Sequence, residues 1–272
     1  MKLYVDGIQF NILLNETDVS ENKTAVIFLH GFTGCAEDWN FISDKLPSKF
    51  FPVSIDLIGH GETDSPEDQK HYSCSAIVHQ LDSITEQLGI KNFVLVGYSM
   101  GGRAALSYSL KHSSKLIAAV LESSTAGIHD ITLKKDRVEF DLLLSEKIKR
   151  EGIIAFTDFW FDMPLFAPLR KIPTFEEIKN KRIKNNVTGL SNSLYGFSTG
   201  LMPSYWDRLH QIQFPVLLIS GEFDLKYTEI NKSMKTKLPH ANHEIIAKSG
   251  HNTHLQKPEL FTKFVVDFLN SL

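Results

Sequence analysis

The fold is decided by the stretch Phe93-Val-Leu-Val-Gly-Tyr-Ser-Met-Gly101, which places a G-x-S-x-G pattern directly after four apolar residues. An apolar run of this length predicts a strand buried on both faces, and helical spacing follows from Gly102 to Leu110. At so tight a turn the glycines remove side chains that would clash, and Ser99 stands exposed at the helix N-terminus. The bare pattern occurs by chance in about one chain in ten of this length. Its position between strand and helix predicts a nucleophile elbow.

Apolar runs of the same kind recur on both sides of the elbow. Between most of them lie helical patterns such as Ser75–Leu88, in which apolar residues recur every three or four positions. Strands that alternate with helices predict an α/β fold with a mainly parallel central sheet flanked by helices. The predicted strands are Lys2–Val5, Gln9–Leu14, Ala25–Leu29, Phe51–Ile55, Phe93–Val96, Leu116–Leu121, Val216–Ile219 and His243–Ala247.

The alternation is interrupted between residues 127 and 210, where helical periodicity, aromatic clusters and many charges occur without a buried strand pattern. The predicted pieces are a helix over Arg137–Lys149, an aromatic segment Phe156–Phe166, and a helix from Thr174 with a capping box to Glu177. We therefore expect residues 1–126 and 211–272 to form a core domain. Residues 127–210, called the cap segment below, are expected to form a helical cap inserted in that core.

Composition and charge exclude several classes of protein. The 272 residues are 42% hydrophobic and 22% charged, which is typical of a folded globular chain. The 29 basic and 32 acidic residues leave a net charge of −3, so a nucleic acid partner is not expected. Cys35 and Cys74 are far apart and predict neither a disulfide framework nor a cysteine metal site. Without a signal-peptide core or an apolar run near roughly 18 residues, we predict a cytoplasmic protein with no membrane insertion.

A nucleophilic or basic serine requires a histidine that is oriented by a carboxylate, and in such elbows the chain order is Ser, acid, His. Asp224 follows the strand pattern Val216–Ile219, and His251 follows His243–Ala247. Both lie just past the carboxyl end of a predicted strand, where open parallel sheets place their active sites. The sequence thus predicts a triad of Ser99, His251 and Asp224. His254 lies close to His251, but no ligand cluster accompanies it, so no metal site is predicted.

The two amides of an oxyanion hole come from the residue after the nucleophile and from the loop after an early central strand. Met100 and Phe32 occupy those positions, the latter in the glycine-rich turn His30–Gly34. A third turn, Asp56–Gly61, also follows a strand pattern. We expect His60 in that turn to support the loop geometry rather than to transfer a proton.

Arg103 indicates the charge of the ligand, because it lies four residues after Ser99, about one helical turn away on the same side. A cation in the first turn opposes the helix dipole at a cost of roughly 0.3 to 1 kcal/mol, whereas an anion there is favoured. An anionic substrate would offset this cost. The alternative is a structural salt bridge to a carboxylate such as Asp56.

Five motifs in this order, strand-HGF, D-x-x-GHG, GYSMGG, GEFD and SGHN, resemble the α/β-hydrolase superfamily over the whole chain. The resemblance implies an α/β-hydrolase fold. Ile58 departs from the pattern, since the superfamily usually has proline before GHG, and this affects the shape of one turn. The superfamily includes esterases, C–C hydrolases, lyases and non-catalytic receptors, so the fold alone does not choose a reaction.

A finer resemblance rests on GYSMGGR, an early cap arginine, the aromatic segment from Asp158 to Phe166, R-x-x-N-N and GHN. Together these are similar to the 2-succinyl-6-hydroxy-2,4-cyclohexadiene-1-carboxylate synthase family of menaquinone biosynthesis. That resemblance implies a lyase that abstracts a proton from a tricarboxylate ring and eliminates pyruvate without a cofactor. It also implies substrate contacts from Arg103, Arg137, Arg182, Trp160 and Tyr98.

Two other functions remain open from the sequence. The same Ser99 would attack a carbonyl in a carboxylesterase or C–C hydrolase, through an acyl-enzyme. A non-catalytic binding protein would keep the triad only to hold a small ligand. No oligomeric state is predicted.

Overall fold

The computed structural model describes residues 1–14 and 22–272, and within this part of the chain the strands form an eight-stranded sheet. The strands are β1 (Lys2–Val5), β2 (Ile8–Leu13), β3 (Thr24–Leu29), β4 (Phe50–Ile55), β5 (Phe93–Tyr98), β6 (Leu116–Glu122), β7 (Val216–Gly221) and β8 (Ala241–Ile246). Their order across the sheet is β1-β2-β4-β3-β5-β6-β7-β8. β2 runs antiparallel to both of its neighbours, and all other neighbours are parallel. The predicted α/β fold is confirmed.

Helices pack on both faces of the sheet because the central strands are apolar on both faces. In β3 the side chains of Ala25, Ile27 and Leu29 enter one core, while Val26 and Phe28 enter the other. Each fully buried aliphatic side chain contributes about 1.5 to 3 kcal/mol. The helices are α1 (Asn40–Ser43), α2 (Cys74–Gln87), α3 (Met100–Lys111), α4 (Ile131–Asp162), α5 (Phe175–Arg182), α6 (Val187–Gly196), α7 (Leu225–Lys235), α8 (Thr253–Gln256) and α9 (Pro258–Asn270). None of those in the described ranges has the length and apolar character needed to cross a membrane.

The register of the parallel strands brings their carboxyl ends to one edge. Leu29 of β3 pairs with Gly97 of β5, which pairs in turn with Leu121 of β6. Further along the sheet, Gly221 of β7 pairs with Ile246 of β8. The loops that follow β3, β5, β7 and β8 therefore leave the sheet on the same side, where a parallel sheet collects its functional groups.

The cap segment contains α4, α5 and α6, and its described residues add no strand to the sheet. α4 packs on α6 through a separate apolar cluster that includes Leu144, Ile148 and Leu190. The helix predicted over Arg137–Lys149 is part of α4, which is longer. α4 is broken at Gly152, whose φ of 79° lies outside the helical region. The division of the chain into domains at residues 126/127 and 210/211 stays a prediction.

Helix starts in the cap segment were only partly predicted. α5 does follow Thr174, but the hydroxyl makes no capping hydrogen bond because the backbone there (φ −87°, ψ 9°) is not the extended conformation a capping box needs. The predicted capping box is wrong. α6 was not predicted from the sequence. Its start is marked by Asn186, whose side chain accepts a hydrogen bond from the Gly189 amide at 3.1 Å.

Candidate active site

Ser99 stands at the junction of β5 and α3 with φ 49° and ψ −103°, outside the regions that non-glycine residues favour. The Ser99 amide donates to the Glu122 carbonyl at 2.8 Å, and its carbonyl accepts from the Arg103 amide at 3.0 Å. A Cβ atom at Gly97 would approach the carbonyl oxygen of Gly101 to 2.5 Å, and one at Gly101 would clash with the Leu29 carbonyl. The two glycines are therefore required sterically for the elbow to form.

The three residues predicted as a triad lie within hydrogen-bonding distance of one another. His251 Nδ1 is 2.7 Å from Asp224 Oδ2, and His251 Nε2 is 3.1 Å from Ser99 Oγ. Asp224 and His251 are only 4% and 3% exposed, so water does not compete for these bonds. Because an ionised carboxylate can only accept a hydrogen bond, Nδ1 carries the proton and Nε2 is free to accept the proton of Ser99.

Aromatic rings enclose His251. The rings of Tyr98, Tyr227 and Phe166 lie 5.3, 4.6 and 6.4 Å from the imidazole, measured between centroids. Burial, and then the nearby Glu122 carboxylate, hold the pKa of Tyr98 well above its ordinary value, so Tyr98 is neutral. Tyr98 also borders the cavity in front of Ser99, and its contact with substrate stays a prediction.

Phe32 and Met100, the residues predicted to supply oxyanion amides, border the same cavity as Ser99. Met100 is the first residue of α3, where backbone N–H groups have no partner within the helix. Phe32 lies in a tight turn in which the Gly34 amide donates to the Gly31 carbonyl at 2.9 Å. In that turn Thr33 has a φ of 68°.

The cavity in front of Ser99 has a volume of about 280 Å³. Ser99, His251, Phe32 and Met100 line it from the core, and residues of the cap segment line it from the other part of the chain. The residues that line it are Phe32, Tyr98, Ser99, Met100, Arg103, Arg137, Phe140, Asp141, Trp160, Met163, Leu165, Phe166, Ser193, Leu194, Phe197, Thr199, Lys226, Tyr227 and His251.

Arg103 is a buried cation on the wall of this cavity. One guanidinium nitrogen, Nη1, donates to the Phe197 carbonyl at 2.7 Å, and the group stacks on the Phe197 ring at 4.4 Å. Burial and the neighbouring Arg137 lower the pKa of Arg103 to about 10, so it remains charged at neutral pH. No ion pair among residues 1–14 and 22–272 includes it. The alternative of a salt bridge to Asp56 is wrong, because Asp56 accepts from the Asn11 side chain and the Glu62 amide.

Two further cations border the cavity. Arg137 Nε donates to Asp141 Oδ2 at 2.8 Å, and Ser198 Oγ donates to the same oxygen at 2.6 Å. Lys226 also lines the cavity, and burial together with the nearby Arg137 lowers its pKa. Three cations and one carboxylate, that of Asp141, therefore line the cavity. The excess positive charge favours binding of an anion.

Lys226 and Tyr227 were not predicted from the sequence as residues of the site. They follow Asp224 by two and three residues in the first turn of α7, and this proximity to a predicted triad residue is the signal that could have found them. Burial raises the pKa of Tyr227, so its hydroxyl stays protonated and is available as a donor.

Comparison with known proteins agrees with this geometry. The sequence profile of the alpha/beta hydrolase fold matches residues 24–258. A protein of Bacillus subtilis (strain 168), provisionally named 2-succinyl-6-hydroxy-2,4-cyclohexadiene-1-carboxylate synthase, is 39% identical over 98% of this chain and 97% of its own. The synthase of that name from Enterobacter sp. (strain 638) is 30% identical over 86% of each chain. The chain belongs to the 2-succinyl-6-hydroxy-2,4-cyclohexadiene-1-carboxylate synthase family.

A solved structure supports the same assignment. The structure of MenH from S. aureus superposes with a TM-score of 0.89 at 29% identity and covers 96% of this chain and 98% of that one. The resemblance of the motifs to this synthase family is therefore confirmed.

Trp160 of the cap segment is one of the substrate contacts that the synthase family resemblance implies, and it lines the cavity. Its ring packs against Phe32 at 5.2 Å in a T-shaped arrangement and against Phe166 at 5.4 Å. Trp160 thereby connects the cap segment to the turn that carries the predicted oxyanion amide.

Arg182 is placed elsewhere. Its Nη1 and Nη2 donate to Asp38 Oδ1 and Oδ2 at 2.9 and 2.8 Å, and both side chains are 5% exposed. It is not among the described residues that line the cavity. The structure thus corrects the expectation that Arg182 contacts substrate, because its fork of donors is already occupied by a buried carboxylate.

The remaining histidines near the site have structural positions. His30 Nε2 accepts the Leu57 amide at 3.0 Å, and His60 Nδ1 lies 3.0 Å from the Ile58 carbonyl. Burial lowers the pKa of His30 to about 4 and that of His60 to about 3, so both are neutral. His254 is buried and stacks on Trp39 at 4.7 Å between ring centroids.

Proposed function

We propose that this chain eliminates pyruvate from 2-succinyl-5-enolpyruvyl-6-hydroxy-3-cyclohexene-1-carboxylate, with Ser99 as the base. One observation carries the proposal: a buried arginine with no carboxylate partner among the described residues shares a cavity with the triad. A buried charge is costly unless it is paired, and a substrate carboxylate would pair with Arg103. The family relationship supplies the identity of that substrate.

Three cations match the three carboxylates of the proposed substrate. Arg103, Arg137 and Lys226 all line the cavity. The planar guanidinium of Arg103 suits two-pronged binding of a carboxylate, whereas the Lys226 ammonium acts as a point charge. Lys226 thus replaces Arg182 as the third substrate cation in this proposal.

In the proposed reaction, Ser99 removes a proton from a ring carbon beside a carbonyl. His251 Nε2 accepts the Ser99 hydroxyl proton as the serine oxygen takes the proton from carbon, and Asp224 stabilises the resulting imidazolium. The electron pair of the broken C–H bond moves onto the carbonyl oxygen, where the Phe32 and Met100 amides stabilise the enolate. The enolate then re-forms the carbonyl as a C2=C3 double bond forms in the ring and the C3=C4 double bond moves to C4=C5. This shift expels the enolpyruvyl group by breaking its C–O bond at C5. The released enolpyruvate takes up a proton and becomes pyruvate.

The position of the substrate decides between this reaction and acylation of Ser99. Cations that hold the polyanion with its acidic C–H within about 3 to 3.5 Å of Ser99 Oγ favour proton transfer over attack on a carbonyl carbon. The same triad geometry would otherwise serve an esterase or C–C hydrolase, so the two mechanisms need a direct test.

That test is incubation of the purified protein with the enolpyruvyl substrate, with pyruvate release followed in time and intact protein weighed by mass spectrometry. We expect steady pyruvate release with no burst and no covalent adduct, and poor turnover of simple esters. A Ser99 acyl-enzyme that forms and decays at the catalytic rate would establish the hydrolase mechanism instead. Saturable binding without turnover would indicate a binding protein.

The cap and the location of the enzyme belong to the same proposal. Residues 127–210 act as the cap that closes over the substrate, since they supply Trp160, Phe197 and Arg137 to the cavity. A small polycarboxylate is a water-soluble substrate and agrees with the predicted cytoplasmic location.

A further inference from the structure

The turn that carries the Phe32 amide is held from outside by a side chain of the cap segment. Asn185 Nδ2 donates to the Thr33 carbonyl at 2.8 Å, and Asn185 Oδ1 accepts from the Gly61 amide at 3.1 Å. One buried amide group, 8% exposed by residue, therefore joins two loops of the core at the edge of the active site.

Arg182 acts, through Asp38, on Cys35, the residue that follows this turn. Its two-pronged pair with Asp38 is buried, and Asp38 Oδ2 also accepts from the Cys35 amide at 3.1 Å. Asn185 Nδ2 lies 3.1 Å from the Arg182 carbonyl, so the two cap residues are themselves connected. We call Arg182, its partner Asp38, and Asn185 the clamp.

The turn needs such external support because its backbone is strained. Thr33 has a φ of 68°, in the left-handed region that β-branched residues rarely adopt. The turn is closed by the bond from the Gly34 amide to the Gly31 carbonyl. A strained conformation persists only when the surrounding structure determines it, and here the bond to the Thr33 carbonyl fixes the residue next to Phe32.

We propose that Arg182 and Asn185 are positioning residues, which hold the Gly31–Gly34 turn so that the Phe32 amide points at the developing oxyanion. Neither residue touches the substrate. The inference rests on the proposed function, since that function makes the Phe32 amide an oxyanion donor. Loss of the clamp therefore lowers kcat and leaves substrate affinity unchanged.

The first test compares Asn185→Ala with Asn192→Ala, a matched control. Asn192 Nδ2 also connects the cap segment to the core, by donating to the Pro66 and Glu67 carbonyls at 3.1 Å each. These carbonyls belong to a different loop from the Phe32 turn. Removal of one oxyanion donor lowers kcat by about 10² to 10³-fold, and displacement of a donor has a smaller effect. We expect Asn185→Ala to lower kcat by roughly 10-fold or more with KM within about two-fold, and Asn192→Ala to change neither beyond about two-fold.

The second test separates positioning from substrate binding at Arg182. Arg182→Lys keeps the charge but loses the two-pronged geometry toward Asp38. Both proteins compared carry Ser99→Ala, which stops turnover. We expect the substrate dissociation constant of the protein with Arg182→Lys to stay within about two-fold of that of the protein that retains Arg182. A rise of about 10-fold or more would show that Arg182 binds substrate and would overturn its role in the clamp.

The third test does not depend on activity. Backbone hydrogen exchange of residues 31–35 should be faster in Asn185→Ala than in wild type and unchanged in Asn192→Ala. Absence of pyruvate release by wild-type protein would contradict the proposed function and would leave this exchange test valid. Equal exchange in wild type and Asn185→Ala would overturn the clamp.

Discussion

At the level of single residues, one carboxylate determines which nitrogen of His251 carries the proton. Asp224 can only accept a hydrogen bond, so the proton of His251 resides on Nδ1 and Nε2 faces Ser99 at 3.1 Å. Tyr98 and Tyr227 cover the imidazole and keep water from it. In the proposed reaction the three side chains therefore act as one unit.

This unity predicts non-additive losses in the triad. Ser99→Ala and His251→Ala should each lower kcat by roughly 10³-fold or more, and the double variant should resemble the worse single one. Steady-state pyruvate release measures these effects, with thermal unfolding as the control for an intact fold. Losses that multiply in the double variant would contradict a shared relay.

The cations of the cavity give a second prediction at this scale. Arg103→Lys should lower kcat/KM by roughly 10-fold, because an ammonium cannot reproduce two-pronged pairing, and Lys226→Ala should raise KM by several-fold. Lys232→Ala is the matched control on α7, since Lys232 is 53% exposed and pairs with Glu229. Kinetics of Lys226→Ala that match those of Lys232→Ala would remove Lys226 from the substrate site.

At the level of elements, the elbow depends on close approach between α3 and β3. Gly101 lies against the backbone carbonyls of Leu29 and His30, so the first turn of α3 can sit over the end of the strand only without a side chain there. This contact places the Met100 amide and the Ser99 hydroxyl at the same edge of the sheet as the Phe32 turn. Packing of two backbones therefore assembles the catalytic groups.

The prediction at this scale compares two glycines. Gly101→Ala should reduce the free energy of unfolding by about 2 kcal/mol more than Gly89→Ala, because it overpacks a backbone contact. Gly89 has a φ of 67° and open space around it, so alanine there adds only backbone strain of roughly 1 to 2 kcal/mol. Urea unfolding measures both. Equal destabilisation by the two substitutions would show that the contact at Gly101 relaxes easily.

At the level of the whole molecule, buried neutral histidines link stability to pH. His30 and His60 lie 5.0 Å apart between β3, β4 and the cap segment, with pKa values lowered by burial to about 4 and about 3. In the unfolded chain each titrates near 6.5. Below that pH the unfolded state binds more protons than the folded state, so stability falls as the pH falls from about 6.5 toward 3.

We therefore predict that a variant without His60 is less sensitive to acid. Between pH 7 and pH 5, His60→Asn should lose about 2 kcal/mol less unfolding free energy than wild type. His129→Asn is the control, because the His129 side chain is 74% exposed. Urea unfolding at both pH values gives the comparison. Equal losses of unfolding free energy in wild type and His60→Asn would show that the acid sensitivity comes from protonation of another group.

Much of the core and the triad followed from local signals. Apolar runs identify buried strands, glycine spacing identifies the elbow, and the carboxyl ends of parallel strands meet at one edge whatever the details of packing. Ser99, Asp224 and His251 could thus be found from the sequence, and the structure places them within 3.1 Å of their partners.

Only the tertiary structure decided which cations face the cavity. A charged residue on a cap helix has the same local pattern whether it meets solvent, a substrate or a buried carboxylate. Arg182 pairs with Asp38, 144 residues away, whereas Lys226 reaches the cavity from the first turn of α7. These outcomes depend on where α5 and α7 lie relative to the loops of the core, and contacts between distant segments leave no periodic signal in the sequence.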